Sequence, residues 1–145
     1  MKRIFAAIIA ACAAMVAFAQ NKPDGSKVIP FADPFILYEG GVYYLYGTGS
    51  GDGIAVAVSK DMKTWEWPEG KEMYVAMHKD DSYGGKWFWA PEVYKIGDRF
   101  IMYYSAEEHI CMAEASSPLG PFRQNVQEPM REHNGIDNHL FIDKD

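Results

Sequence analysis

A chain of 145 residues that is 48% hydrophobic and 14% aromatic has the length and apolar content of one packed domain, which sets aside a disordered polypeptide. Its 20 acidic residues against 14 basic ones leave a net charge of −6 with no basic stripe, so nucleic acid is excluded as a partner.

In chain order, Met1-Lys2-Arg3, the apolar residues 4–18 and the small-residue pattern Ala17-Phe18-Ala19 before Gln20 read as a secretory signal peptide over residues 1–19. The apolar run is too short for a membrane span, and the expected product is secreted or periplasmic. Ile9-Ala10-Ala11-Cys12 also fits a bacterial lipid-attachment box. Against lipidation at Cys12, the following residues stay apolar through Phe18, where a lipoprotein turns polar. With Cys12 removed, Cys111 stands alone and no disulfide can form within the chain.

Residues 20–145 are expected to form the domain. After a Pro-Asp-Gly lead-in at residues 21–27, the run Ala32-Asp33-Pro34-Phe35-Ile36-Leu37-Tyr38 passes through Glu39-Gly40-Gly41 into Val42-Tyr43-Tyr44-Leu45-Tyr46, the pattern of a β-hairpin. Residues 47–53, rich in Gly and Ser, read as a second turn leading to the alternating strand at 54–58. The unit ends on Ser59-Lys60-Asp61 and Trp65, with Trp65 and Trp67 expected in the core. His78, Asp80 and Asp81 read as a solvated loop.

The pattern then recurs. Ala90-Pro91-Glu92-Val93-Tyr94 leads through Ile96-Gly97-Asp98 into Arg99-Phe100-Ile101-Met102-Tyr103, and a shift of about 57 positions lays Pro34 on Pro91 and Gly40 on Gly97 without a gap. The second unit ends on residues 116–122, closing on Phe122. Between them, Ile110-Cys111-Met112-Ala113 alternates so that Cys111 reads as a small buried hydrophobe rather than a nucleophile. A third copy opens at Ile136-Asp137-Asn138-His139-Leu140-Phe141-Ile142-Asp143, with Asp137 in the slot of Asp33, and a carboxylate is expected to recur at one fixed place in the pattern. Residues 143–145 resemble the start of another hairpin turn. Nothing after residue 19 has sustained helical periodicity. The fold class is therefore all-β, an array of meandering sheets of roughly fifty residues each, every one closing on an aromatic that plugs the gap to its neighbour.

Ala32-Asp33-Pro34, Trp89-Ala90-Pro91-Glu92 and Ile136-Asp137-Asn138 with Phe141 and Asp143, each at the head of a repeat, resemble glycoside hydrolase family 43, as do the endings Ser59-Lys60-Asp61 with Trp65 and residues 116–122. The resemblance implies a five-bladed β-propeller of which about two blades and the start of a third are present. It implies an active site where the inner strands converge, and three catalytic carboxylates. Two of these map by motif onto Asp33, the general base, and Asp137, which tunes the pKa of the acid and orients it. The third, a general-acid glutamate in a Glu-Gly-Pro-like motif, has no match here. Inverting hydrolysis needs a carboxylate and a carboxylic acid roughly 6.5 to 9.5 Å apart, leaving room for the attacking water.

Each residue also has a plain structural reading. Asp before Pro is a common strand-entry turn residue. Glu92 is either a hydrogen-bonded strand-head carboxylate or a substrate contact, and Trp89 is either core or an aromatic platform for a sugar ring. His139 reads as a hydrogen-bonded structural residue rather than a metal ligand. Asn138 stands where the family usually has Pro.

At roughly fifty residues per blade, five blades need about twice this length, so the chain is expected to be the N-terminal part of a longer enzyme and inactive alone. The reading is a secreted hydrolase of xylose- or arabinose-containing polysaccharides or oligosaccharides, acting with inversion. Its partner is carbohydrate, with no cofactor expected and a central-channel Ca²⁺ left open. The alternatives are a non-catalytic carbohydrate-binding propeller and a retaining, fructan-cleaving relative. The latter carries Trp and Asn before Asp-Pro, where this chain has Pro30-Phe31-Ala32.

Overall fold

Aromatic and β-branched runs interrupted by glycine-containing pairs cannot extend into long strands; they turn back on themselves every seven to nine residues. The computed structural model describes residues 29–143. The expected signal peptide at residues 1–19, Cys12 within it, the lead-in at 21–27 and residues 144–145 lie outside the described residues. All secondary structure among the described residues falls in one compact unit, Phe31–Asp145.

Two antiparallel sheets make up this unit. The first has the order β1 (Ala32–Glu39), β2 (Val42–Ser50), β3 (Gly53–Ser59) and β4 (Val75–His78). The second consists of β5 (Trp89–Ile96), β6 (Arg99–Ala106) and β7 (His109–Ala115). Apart from two three-residue 3₁₀ turns, Pro68–Gly70 and Lys79–Asp81, the described residues hold no helix. The expected all-β class and the two meandering sheets are what the chain forms.

The hairpin at Gly40-Gly41 needs left-handed backbone at both central residues, with φ 59° and 83°, which is why two glycines stand there. Pairing repeats between the sheets in the same register. Ala32 faces Thr48 and Phe35 faces Tyr46 in the first, while Trp89 faces Ser105 and Glu92 faces Tyr103 in the second, each with an irregularity between the two pairs. All four positions map by the same shift inferred from the prolines.

The sheets share one core, in which Tyr46, Ile54, Val56, Met77, Val93, Met102, Tyr104 and Phe122 are buried. Phe122 crosses from the end of the second sheet to stand edge-on against Tyr46 of the first, centroids 6.2 Å apart at 86°. The Tyr46 hydroxyl donates to the Pro118 carbonyl, and burial pushes its pKa well above the ordinary tyrosine value. The Phe122 N–H donates to the Ala76 carbonyl of β4 at 2.8 Å. Gly120, at φ 82°, lets the loop pass there, since a Cβ would meet the Ala76 carbonyl oxygen at 2.2 Å. The expected aromatic plug therefore exists at Phe122.

Several expectations are corrected. Strand β2 runs on to Ser50, so the turn inferred at residues 47–53 tightens to Gly51-Asp52. Trp65 and Trp67 are half-buried rather than core. Trp65 is the counterpart of Phe122 by the same shift, but among the described residues no second sheet covers its face; Trp67 is edge-on to Phe31 at 5.7 Å. Residues 136–143 form no strand, because a strand head needs a following hairpin partner to satisfy its backbone groups, and no such partner stands among the described residues. His78 ends β4, and Asp80 and Asp81 lie in a 3₁₀ turn where Asp81 accepts from Arg123 Nε at 3.1 Å. Cys111 is fully buried, and burial pushes its thiol up to about 11, in keeping with its reading as a hydrophobe.

Candidate active site

At the heads of β1 and β5 the chain enters the sheet while skipping two ladder positions through a residue of left-handed backbone, and the third repeat head, though not a strand, has the same conformation. Asp33 has φ 48°, Ala90 φ 45° and Asp137 φ 57°. For non-glycine residues this conformation stores on the order of 1 kcal/mol or more of strain, with Asp tolerating it better than Ala. The slot shared by Asp33 and Asp137 is thus real in backbone terms. In the second repeat it is filled by Ala90, so the carboxylate does not recur at one fixed place there: Glu92 lies two residues further on, at the counterpart of Phe35.

The three heads converge on one cavity of about 230 Å³, lined by Asp33, Pro34, Phe35, Ala90, Pro91, Glu92, Asp137 and Asn138. Asp33, Glu92 and Asp137, inferred separately from sequence, are brought together. Trp89 is not in the wall. It stacks on the exposed Trp87 with centroids 5.8 Å apart and 16° between planes, and Lys86 Nζ sits 4.2 Å over the Trp87 ring.

Asp33 is exposed, and its Oδ2 accepts from the Thr48 hydroxyl at 3.0 Å. Thr48 Oγ1 in turn accepts from the Ala90 N–H at 3.1 Å. Glu92 is committed differently. It accepts from the Tyr94 hydroxyl at 2.7 Å and the Leu140 N–H at 3.4 Å, and its Oε1 lies 3.1 Å from His139 Nδ1. These bonds moor residues 139–140 to the second sheet, one residue beyond the Asp137-Asn138 pair in the cavity wall. Burial first and the Glu92 carboxylate second raise the Tyr94 phenol to about 12. His139 is hydrogen-bonded as expected. Asn138 Oδ1 and Nδ2 are buried and unpartnered among the described residues.

Thr48 escaped the sequence reading, which named Pro34 and Asn138 only as parts of the repeat-head motifs. The signal that points to Thr48 is the repeat itself: shifted by one repeat it lands on Ser105, another hydroxyl. Among the described residues no group of three His, Cys, Asp or Glu side chains is placed to hold a metal ion, and no helix is long and apolar enough to cross a membrane. Carboxylates at two heads of an open, water-accessible cavity can deprotonate water or hold a developing positive charge.

Residues 28–145 match the model of glycosyl hydrolases family 43. The chain is 34% identical over 84 residues to the extracellular exo-alpha-(1->5)-L-arabinofuranosidase ArbA of Cellvibrio japonicus, covering 56% of this chain and 23% of that protein. Among solved structures it resembles an endo-1,4-beta-xylanase from Bacteroides thetaiotaomicron, with 45% identity, a TM-score of 0.73, and 80% of this chain and 40% of that one covered. It also resembles an endo-arabinase from the same organism, with 31% identity, a TM-score of 0.66, and 80% and 42% covered. The chain spans less than half the length of each of these relatives.

Proposed function

The chain belongs to glycoside hydrolase family 43, and we propose that it carries the general-base side of an inverting glycosidase acting on xylose- or arabinose-containing polysaccharides or oligosaccharides. The observation that carries this reading is the single cavity into which the head of the first sheet brings Asp33 and the third repeat head brings Asp137. In this reading Asp33 takes a proton from water on one face of the sugar, leaving the oxygen lone pair to attack the anomeric carbon. The leaving oxygen is protonated from the opposite face by a carboxylic acid. Asp137 orients that acid and favours its protonated form by like-charge repulsion.

The acid is proposed to be a glutamate at the head of a later blade of a five-bladed propeller, in the part of the relatives' length this chain does not cover, so residues 20–145 alone should not turn over. Secretion is proposed from the signal-peptide pattern at residues 1–19, with cleavage before Gln20, and the extracellular arabinofuranosidase relative supports it.

The test is the stereochemistry of the reaction. The full-length protein is incubated with aryl xyloside, aryl arabinofuranoside and the matching oligosaccharides while proton NMR follows the first-formed anomer. The expected result is hydrolysis of at least one substrate with inverted configuration. A retained anomer would move the reading to a nucleophilic role for Asp33, as in the fructan-cleaving relatives. Binding without hydrolysis would favour a carbohydrate-binding propeller.

A further inference from the structure

We propose that Thr48 is the positioning residue of the catalytic aspartate, a hydroxyl whose proton is aimed at Asp33 by the backbone of the neighbouring sheet; the inference rests on the general-base reading of Asp33. A threonine hydroxyl has one proton to give, and its direction is free unless its lone pairs are engaged. Here the Ala90 N–H, from the head of the second sheet, donates to Thr48 Oγ1 at 3.1 Å, and the same oxygen donates to Asp33 Oδ2 at 3.0 Å. The acceptor role toward Ala90 leaves the proton for Asp33. Oδ1 stays available for water, and the carboxylate cannot swing away from the cavity without breaking this bond. β-branching fixes χ1 of Thr48 more tightly than serine's would be, and the side chain is half-buried on β2, a paired strand rather than a loop.

The molecule contains its own control. Ser105 occupies the identical register position in the second sheet, opposite Trp89 as Thr48 is opposite Ala32. There the head residue is Ala90, which has no carboxylate to orient, and Ser105 Oγ is buried without a hydrogen-bond partner among the described residues. A hydroxyl kept at this slot merely for packing would look alike in both sheets. Only the one beside an aspartate makes a two-sided relay, and that relay ties the two left-handed heads, Asp33 and Ala90, to each other.

The test compares Thr48→Val, Thr48→Ser, Ser105→Ala and Asp33→Asn in the full-length protein, reading kcat and KM on an aryl glycoside together with hydrogen exchange at the Ala90 amide. Valine keeps the shape and removes the relay, so kcat should fall roughly ten- to hundredfold with KM nearly unchanged, the size seen when an outer partner of an active group is lost. Ala90 should lose exchange protection in the same variant. Thr48→Ser should retain most of the wild-type rate and protection, and Ser105→Ala should leave both untouched. If Thr48→Val keeps the wild-type kcat while Asp33→Asn is inactive, the relay is structural and the inference falls with the Asp33 reading intact. An Ala90 amide equally exchangeable in wild type and Thr48→Val overturns the geometry on which it stands. If Asp33→Asn is as active as wild type, the reading beneath the inference fails, and the inference with it.

Discussion

At the scale of single residues, burial is the first cause of the shifts at Cys111 and Tyr94. The Cys111 thiol, fully buried on β7 opposite Tyr104 of β6, is pushed up by burial to about 11 from 9.0. Its folded form therefore holds the proton more tightly than the unfolded chain does, and the stability this contributes is complete below about pH 9 and lost as pH rises through about 11. Tyr94, raised from 10.0 to about 12, adds a second loss in the same direction. The melting temperature is expected to be level up to about pH 9 and to decline beyond it, with Cys111→Ala flattening the first part of the decline. Cys111 should also resist alkylation in the native state, since neither thiolate nor access is provided. A melting temperature unchanged up to pH 11 in the wild type would contradict this account of the buried thiol.

Among the elements, the aromatic that closes each unit does different work in the two copies. Phe122 is fully buried between the sheets against Tyr46, whereas Trp65, its counterpart, is half-buried on an uncovered face. Phe122→Ala should destabilise the fold by about 3–5 kcal/mol, the usual range for removing a buried aromatic. Trp65→Ala should cost well under half of that, measured by denaturant unfolding of each variant. Equal losses would mean that the face of Trp65 is covered. Strands β1, β2, β3, β5, β6 and β7 were legible because alternation and glycine pairs are local signals. Strand β4 was not, being four residues, Val75–His78, whose pairing with β3 depends on a connection of some length. Residues 136–142 show the reverse case, a strand pattern with no strand, because pairing is a property of two segments and no second segment pairs with this one among the described residues. Likewise Asp33, Glu92 and Asp137 stand at or near repeat heads and share one cavity, whereas for Thr48 the repeat offers only a hydroxyl at its counterpart Ser105, and its hydrogen bonds come from cross-strand register plus an N–H on another sheet.

For the whole molecule, the most exposed of the large apolar side chains among the described residues lie in the trailing segment, with Phe141 78% and Ile142 69% accessible. The inner strands β1 and β5 lie side by side through Phe35 and Tyr94, 5.4 Å apart, and so present their heads to a common cavity. The repeat thus places chemistry at one point by geometry alone: equivalent positions of successive sheets meet, and an aspartate at such a position acquires neighbours distant in sequence. The claim that this convergence makes Asp33 the base is tested most directly by chemical rescue. Asp33→Ala in the full-length protein should lower kcat by on the order of a thousandfold, the middle of the range for losing a general base. Azide, which needs no deprotonation to attack, should restore turnover and yield a glycosyl azide of inverted configuration. An Asp33→Ala variant that hydrolyses at the wild-type rate, or a wild-type enzyme whose first-formed hydrolysis product retains the substrate's configuration, would contradict the account.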